Sequence, residues 1–264
     1  MTTLENALVV VTGGGTGFGR AIALEAARRG ARILIAEIGD ASSTVAEAQA
    51  LGAQADWLQT DVSDYESVTR LVKRAEELGG ANVVVNNAMF AVNYGALHDA
   101  DPVTAMREIT VNFGGYFNVI HAFAPSLIAK AEAGERAYIL NVGSEHSLAV
   151  PPQEPGSVYT SCKYGVLGLT DTARRDYMPY GVGVTMAAPG HMRTESYTAY
   201  AATAAPEDIA WPESRMEDPA DVAIVVLDGL LEGRYIIVTN PDTVGFAREH
   251  AHAMLAEIDR APGA

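Results

Sequence analysis

Ala7-Leu-Val-Val-Val-Thr12, continued without a break by Gly13-Gly-Gly-Thr-Gly-Phe-Gly19, is the stretch that decides the fold. An apolar, β-branched run with no polar alternation reads as a strand buried on both faces. Glycines end it, and from Arg20 the apolar residues Ile22, Leu24, Ala26 and Ala27 follow a helical pattern. A strand, a glycine turn and a helix bring backbone close to a ligand. Without Cβ atoms, Gly13, Gly17 and Gly19 permit tight φ/ψ and the close approach of a pyrophosphate, whose charge is favoured at a helix N-terminus. The spacing is G-x-x-x-G-x-G, not G-x-G-x-x-G. A triphosphate-binding loop is disfavoured because Arg20 and Ala21 follow Gly19 where Lys and Ser or Thr are needed.

Outward from that stretch, short apolar runs recur at 31–37, 55–59, 83–87, 137–142, 182–187 and 235–239, with helical patterns such as 68–78 and 222–231 between them. Alternation of buried strands and helices from end to end predicts an α/β, Rossmann-type doubly wound parallel sheet of about seven strands, flanked by helices, in a single domain spanning 1–264. Residues 191–217 lack a clear period and carry Pro206 and Pro212, which predicts a mobile insertion or lid over the substrate. An amphipathic helix is expected over 243–259.

Composition narrows the function classes. The 264 residues are 48% hydrophobic and carry a formal charge of −15, so nucleic acid and anionic membranes are repelled over most of the surface. Neither a basic, apolar leader nor an apolar run of the ~20 residues a bilayer requires is present, and a cytoplasmic location is expected. The lone Cys162 excludes an internal disulfide and a site built on paired thiolates. No metal is expected, and Cys162 reads as a small buried side chain.

Glu37 closes the second strand, 18 residues after Gly19, where a dinucleotide fold places the acid that binds the adenosine ribose. A carboxylate there repels a 2′-phosphate, and no basic residue adjoins it in Ile38-Gly39-Asp40, so the expected cofactor is NAD, not NADP. Asp61, followed by Val62 after the third strand, is placed to accept from the adenine amino group.

Tyr159-Thr-Ser-Cys-Lys163 stands at the head of an expected helix, where i, i+4 spacing puts phenol and ammonium on one face. A free tyrosine has a pKa of about 10, and a cation within a few ångströms favours its phenolate. Ser144 follows the apolar strand 137–142 at the ligand-binding edge of the sheet, where a hydroxyl orients a substrate oxygen. Asn112 lies in a helical stretch although Asn is a poor helix former, which points to a polar task.

Taken in order, Thr12-Gly13-x3-Gly17-x-Gly19, Asn86-Asn87-Ala88, Asn112, Ser144, Tyr159-x3-Lys163 and Pro189-Gly190-x3-Thr194 resemble the short-chain dehydrogenase/reductase family. The resemblance implies an NAD-dependent alcohol dehydrogenase or ketoreductase. In it Tyr159 exchanges the substrate proton, and Lys163 lowers its pKa and holds the nicotinamide ribose. Ser144 positions the reacting oxygen, and Asn112 supports a water relay. Thr16, Gly17, Phe18 and Gly19 would meet the cofactor phosphates, and Asn87 and Ala88 would flank the adenosine ribose. Pro189, Gly190, Met192 and Thr194 would cover the nicotinamide, with Thr194 on its carboxamide. Relatives are commonly dimers or tetramers built on the long helices expected here at 102–130 and 157–180.

Two features depart from the family's pattern. Met89 replaces the glycine after Asn-Asn-Ala and would narrow the cofactor or substrate mouth. The end of the chain, from Tyr235 to Asp242, lacks the usual glycine-bearing strand ending. Loops at 89–98, 145–158 and 191–217 should supply the substrate walls, including Met89, Phe90, Tyr94, Leu148, Met192, Tyr197, Tyr200 and Trp211. They imply an apolar or aromatic secondary alcohol or its ketone, with His146 and Arg193 as the nearby candidates for reading a polar group. A non-catalytic NAD(H) sensor on the same fold is the alternative. Tyr159 and Lys163 argue against it, since a sensor needs no proton carrier aligned with a cation. Nucleotide-sugar epimerisation is disfavoured by the glycine spacing.

Overall fold

The computed structural model describes residues 4–262 with the exception of 94 and 155. Tyr94, named above for the substrate wall, therefore lies outside the described residues. All seven expected strands are present: β1 (Leu8–Thr12), β2 (Arg32–Glu37), β3 (Ala55–Gln59), β4 (Val83–Asn86), β5 (Tyr138–Val142), β6 (Gly183–Ala188) and β7 (Ile236–Val238). They form one parallel sheet in the order β3-β2-β1-β4-β5-β6-β7. The order reverses between β1 and β4, and an open α/β sheet binds ligands outside the carboxyl ends of its strands at such a point.

Strand periodicity sorts the core into two layers. Val9 and Val11 of β1 face Ile22, Val226 and Leu230 on one side, while Leu8 and Val10 face Leu71, Phe123 and Leu127 on the other. The covering helices are α1 (Gly17–Arg28), α2 (Ser42–Ala50), α3 (Tyr65–Glu77), α4 (Pro102–Ile109), α5 (Tyr116–Glu132), α6 (Ser157–Tyr177), α7 (Glu195–Ala201), α8 (Pro206–Ser214), α9 (Pro219–Leu231) and α10 (Pro241–Ile258). Side-chain caps fix several starts. Asp101, Asp218 and Asn240 each accept from a backbone N–H of the first turn, with proline at the opening positions of α4, α9 and α10.

The long helix expected over 102–130 is interrupted. Between α4 and α5 the backbone passes through a π-helical turn, Thr110–Gly115, that carries Asn112. The turn presses on the loop after β3, since a Cβ at Gly115 would lie 2.6 Å from the Val62 side chain. The 191–217 segment also differs from expectation. It folds as α7 and α8, and its ends are clasped by pairing of Met192 with Glu217. Its helical period is weak because no residue of α7 is buried, so little selects an apolar stripe. The C-terminal helix lies within two residues of its expected bounds, and Thr243 is its one buried residue. No helix among the described residues is long and apolar enough to cross a membrane.

Candidate functional site

The glycine loop is shaped by what it lacks. Gly13 adopts a φ of +64°, and a Cβ there would stand 2.8 Å from the Ala88 Cα. A Cβ on Gly19 would overlap the Gly13 carbonyl oxygen. The loop is tied to the end of β4. Asn87 donates through Nδ2 to the carbonyls of Thr12 and Gly13, both at 3.0 Å, and the backbone N–H groups of Asn87 and Ala88 donate to Thr12 Oγ1 at 2.9 and 3.1 Å. Thr16 is exposed beside these groups. Phe18, in contrast, turns its ring into the core, so only its backbone faces the loop. Gly17 meets the 191–217 segment. Its N–H donates to Glu195 Oε2 at 2.8 Å, and the Thr194 methyl lies 3.4 Å from where its Cβ would be.

A groove of about 170 Å³ continues from this loop past Glu37, Asp61, Val62, Met89, Phe90 and Arg107. Glu37 accepts from the Gly15 and Ile38 N–H groups, each at 2.9 Å. Each carboxylate oxygen keeps a further lone pair for a hydroxyl donor. Asp61 Oδ1 accepts from the Ser63 N–H and hydroxyl at 2.9 and 2.6 Å. Loop glycines that admit no Cβ, and an acid at the end of β2, fit an adenine dinucleotide laid across the sheet edge. Met89 lines this groove and is half exposed. Phe90, expected in the substrate wall, lines it as well, because two hydrogen bonds of 2.7 Å fix its backbone N–H and C=O to the Asn112 side chain.

A second constellation lies at the end of β5. Lys163 is buried, donates to the Val142 carbonyl at 2.8 Å and stands 5.5 Å from the centroid of the Tyr159 ring. Burial lowers its pKa to about 8. Tyr116 donates to the same carbonyl at 2.8 Å, and burial pushes its phenol well above the ordinary range. Two residues on, Ser144 Oγ accepts from the His146 N–H at 3.3 Å. The His146 ring stands edge-on to Tyr159 with centroids 5.4 Å apart. Ser144, Tyr159 and Lys163 are thus gathered at one strand end. Asn112 reaches the region through its own turn, where the Phe113 ring packs on Gly165 of α6. Cys162 is buried and its thiol is raised to about 11 by burial, consistent with a packing role.

His146, a candidate for reading a polar group, is engaged within the protein. Nδ1 contacts Thr160 Oγ1 at 2.7 Å and Nε2 contacts Glu154 Oε2 at 2.9 Å, so both ring nitrogens are engaged. Glu154 also faces His191 Nε2 at 2.6 Å. Burial pushes the Glu154 carboxyl up, but hydrogen bonds and charge from the two imidazoles outweigh it and hold it at about 2. Below them, the buried Arg215 guanidinium meets Glu145 through two bonds of 2.9 and 2.8 Å. It also bonds Asn240 at 3.0 Å and lies over Trp211. Arg193 is paired with Glu213 at 2.7 Å. Leu148 is partly buried and packs against the small cluster of Tyr116, Val166, Met186 and Ala188. Met192 is partly buried and packs against the main core cluster, and the Tyr197 backbone N–H donates to Thr194 Oγ1 at 3.2 Å. At the segment's entry, Gly190 is wedged against Asn240 and donates to Glu217 Oε2 at 3.3 Å, and the Pro189 carbonyl accepts from Glu145 at 2.9 Å. Sequence reasoning missed Glu145, Glu154 and Arg215 because their partners are remote in the chain, and it missed Arg107 because no motif contains it.

Sheet order, glycine loop and strand-end acid define a dinucleotide-binding protein, and comparison with known proteins gives the family. The chain belongs to the short-chain dehydrogenase family, whose model matches residues 7–205. It shares the Rossmann fold of that family of oxidoreductases. It is 35% identical over 189 residues to cis-4-hydroxycyclohexanecarboxylate dehydrogenase of Sinomonas cyclohexanicum, covering 71% of this chain and 74% of that one. It is 37% identical over 190 residues to the probable oxidoreductase EphD of Mycobacterium bovis, where the match covers 71% of this chain and only 31% of the longer relative. Among solved structures it resembles a short-chain dehydrogenase/reductase from Burkholderia phymatum in complex with NAD. The TM-score is 0.84 at 27% identity, covering 100% of this chain and 99% of that one.

Proposed function

We propose that the protein interconverts an apolar or aromatic secondary alcohol and its ketone with NAD(H), with Tyr159 as the proton carrier. The observation that carries this reading is the common placement of Lys163, Tyr159 and Ser144 at the end of β5, with the Lys163 ammonium 5.5 Å from the Tyr159 ring. When bound, the dinucleotide supplies the hydride acceptor or donor. In the oxidative direction the Tyr159 phenolate takes the alcohol proton, favoured by the neighbouring cation. Ser144 holds the same oxygen through its hydroxyl. Asn112, whose side chain is spent on Phe90, acts by fixing the π-helical turn and its backbone.

Glu37 supports NAD over NADP, because its carboxylate would face a 2′-phosphate with no basic neighbour in sequence. The cation-bearing side chains near the substrate end support an apolar pocket, since Arg193 and Arg215 are spent on Glu213 and Glu145. The Sinomonas relative, named for a ring-borne secondary hydroxyl, supports a cyclic alcohol. The 191–217 segment then acts as the lid, joined to the glycine loop through Thr194 and Glu195. A homodimer or homotetramer is supported by Val103, Met106, Phe113 and Phe117, exposed along α4, the π-helical turn and α5.

NADH absorbance with apolar, polyol and short-acid substrates tests the substrate class, and preference for polyols or short acids overturns it. Tyr159→Phe should retain NADH binding while kcat falls by about 10²- to 10⁴-fold. Unchanged turnover refutes the proton carrier.

A further inference from the structure

Arg20, Arg29, Arg74, Arg193 and Arg215 each face a carboxylate. Arg107 faces a ring. Its guanidinium carbon lies 4.5 Å from the centroid of Phe90, and both residues line the groove that begins at Gly13 and Glu37. This arrangement is held from below. Phe90 is fixed at its N–H and C=O by Asn112, and the next residues are fixed by the buried Glu108, whose Oε1 accepts from the Val92 and Asn93 N–H groups at 2.6 and 2.7 Å. Arg107 and Val111 stand one helical turn apart, on the same face, and both reach the groove. The ring under Arg107 is thus a rigid platform, and in a chain of net charge −15 an exposed arginine on that platform is a local reversal of the field.

A guanidinium is planar and stacks through either face. Arg107 is exposed and lines the groove together with Asp61 and Val62, so a second flat group entering there can meet the guanidinium face that is not on Phe90. We propose that Arg107 is a nucleotide-binding residue that closes the adenine end of the groove, its guanidinium stacked between the Phe90 ring and the adenine. The inference rests on the dinucleotide reading above and deepens it. It makes the residues after the Met89 departure part of the nucleotide site, and it links Asn112 through Phe90 to the cofactor's adenine.

Calorimetric titration with NADH and with AMP, which carries the adenine with its ribose and one phosphate but no nicotinamide, tests this without a substrate. Arg107→Ala should weaken both by about tenfold, the upper range for a cation over a flat ring. Because the residue is exposed, the variant should keep the wild-type melting temperature. Arg107→Lys keeps the charge and loses the plane, and it should stay as weak as the alanine variant. In turnover, KM for NAD should rise with kcat unchanged. Unaltered AMP affinity in Arg107→Ala overturns the proposal, as does full rescue by lysine. A larger loss for NADPH than for NADH also overturns it, because it would mean that Arg107 reads a phosphate. If the wild-type protein binds neither AMP nor NADH, the dinucleotide reading itself falls, an outcome distinct from a failure at Arg107.

Discussion

The glycine loop and the 191–217 segment meet at Gly17 and Glu195, yet they are built by opposite means. The loop is set by backbone conformation and by absent side chains, with Gly13 against Ala88 and Gly19 against the Gly13 carbonyl. The segment is anchored by buried charge. Arg215 and Glu145, at 1% and 2% side-chain exposure, join it to the serine loop, and Glu154 joins His191 to His146. Shape suffices to receive a dinucleotide's phosphates. Paired charge gives a wall that holds its place only while its partners keep their ionisation, so the two regions should respond differently to truncation and to pH.

The largest effect should come from Arg215→Ala. It leaves the Glu145 carboxylate buried with its main partner gone, and breaking such a pair costs about 3–5 kcal/mol. Urea unfolding measures it. A loss below about 1 kcal/mol, the range of an exposed pair, would mean that charge does not hold the segment. Gly19→Ala should cost less in stability, about 1–3 kcal/mol as for other overpacked sites. It should nevertheless abolish measurable NADH binding, because the displaced group is the loop backbone itself. Retained NADH affinity in that variant would break the claim that shape alone makes the loop.

This contrast also explains what was legible in the sequence. The seven strands and the glycine loop were readable because their determinants are local: β-branched runs and a turn whose glycines lie within a few residues of one another. Glu37, Tyr159 and Lys163 were readable as spacings within one element or from one strand to the next. Arg215 with Glu145 spans 70 positions, and nothing near either residue announces the other. The π-helical turn at Asn112 was read as plain helix because its cause, the closeness of Val62 to Gly115, is tertiary. His146 reads as available to a substrate because nothing in the sequence shows its partners Thr160 and Glu154, and nothing there shows that Asn112 ties Phe90 to the groove.

Lys163 lies between the two regimes, a buried cation whose carbonyl acceptor is shared with Tyr116. Lys163→Met keeps the volume, removes the charge and leaves Val142 satisfied by Tyr116. It should abolish turnover yet stabilise the cofactor-free protein at pH 7 by about 1–2 kcal/mol. The sign follows from the folded pKa of about 8 lying below the ordinary lysine value of 10.5. Burial of the ammonium is a cost in full below pH 8, relieved as pH rises toward the unfolded value. The advantage of the methionine variant should therefore shrink between pH 8 and 10.5, and a gain that stays constant over that window would show that packing, not charge, is responsible.

The smallest effect, and the sharpest separation of the two regions, is expected at Glu154. Its carboxyl sits at about 2 against 4.5 when unperturbed. It contributes stability that is complete above about pH 4.5 and lost as pH falls toward 2. Glu154→Gln retains hydrogen-bonding capacity toward both imidazoles and removes the charge, so at pH 7 it should cost only about 1 kcal/mol. Its unfolding free energy should lack this contribution's pH slope, and the difference from wild type should close as pH falls from about 4.5 to 2. Gly19→Ala provides the control, since no titrating group enters the clash it creates. Its deficit should be the same at every pH in that window. If the Glu154→Gln deficit also holds constant, the carboxylate is not paired as the geometry has it, and the distinction between a wall made by shape and a wall made by charge fails at the residue where it is easiest to measure.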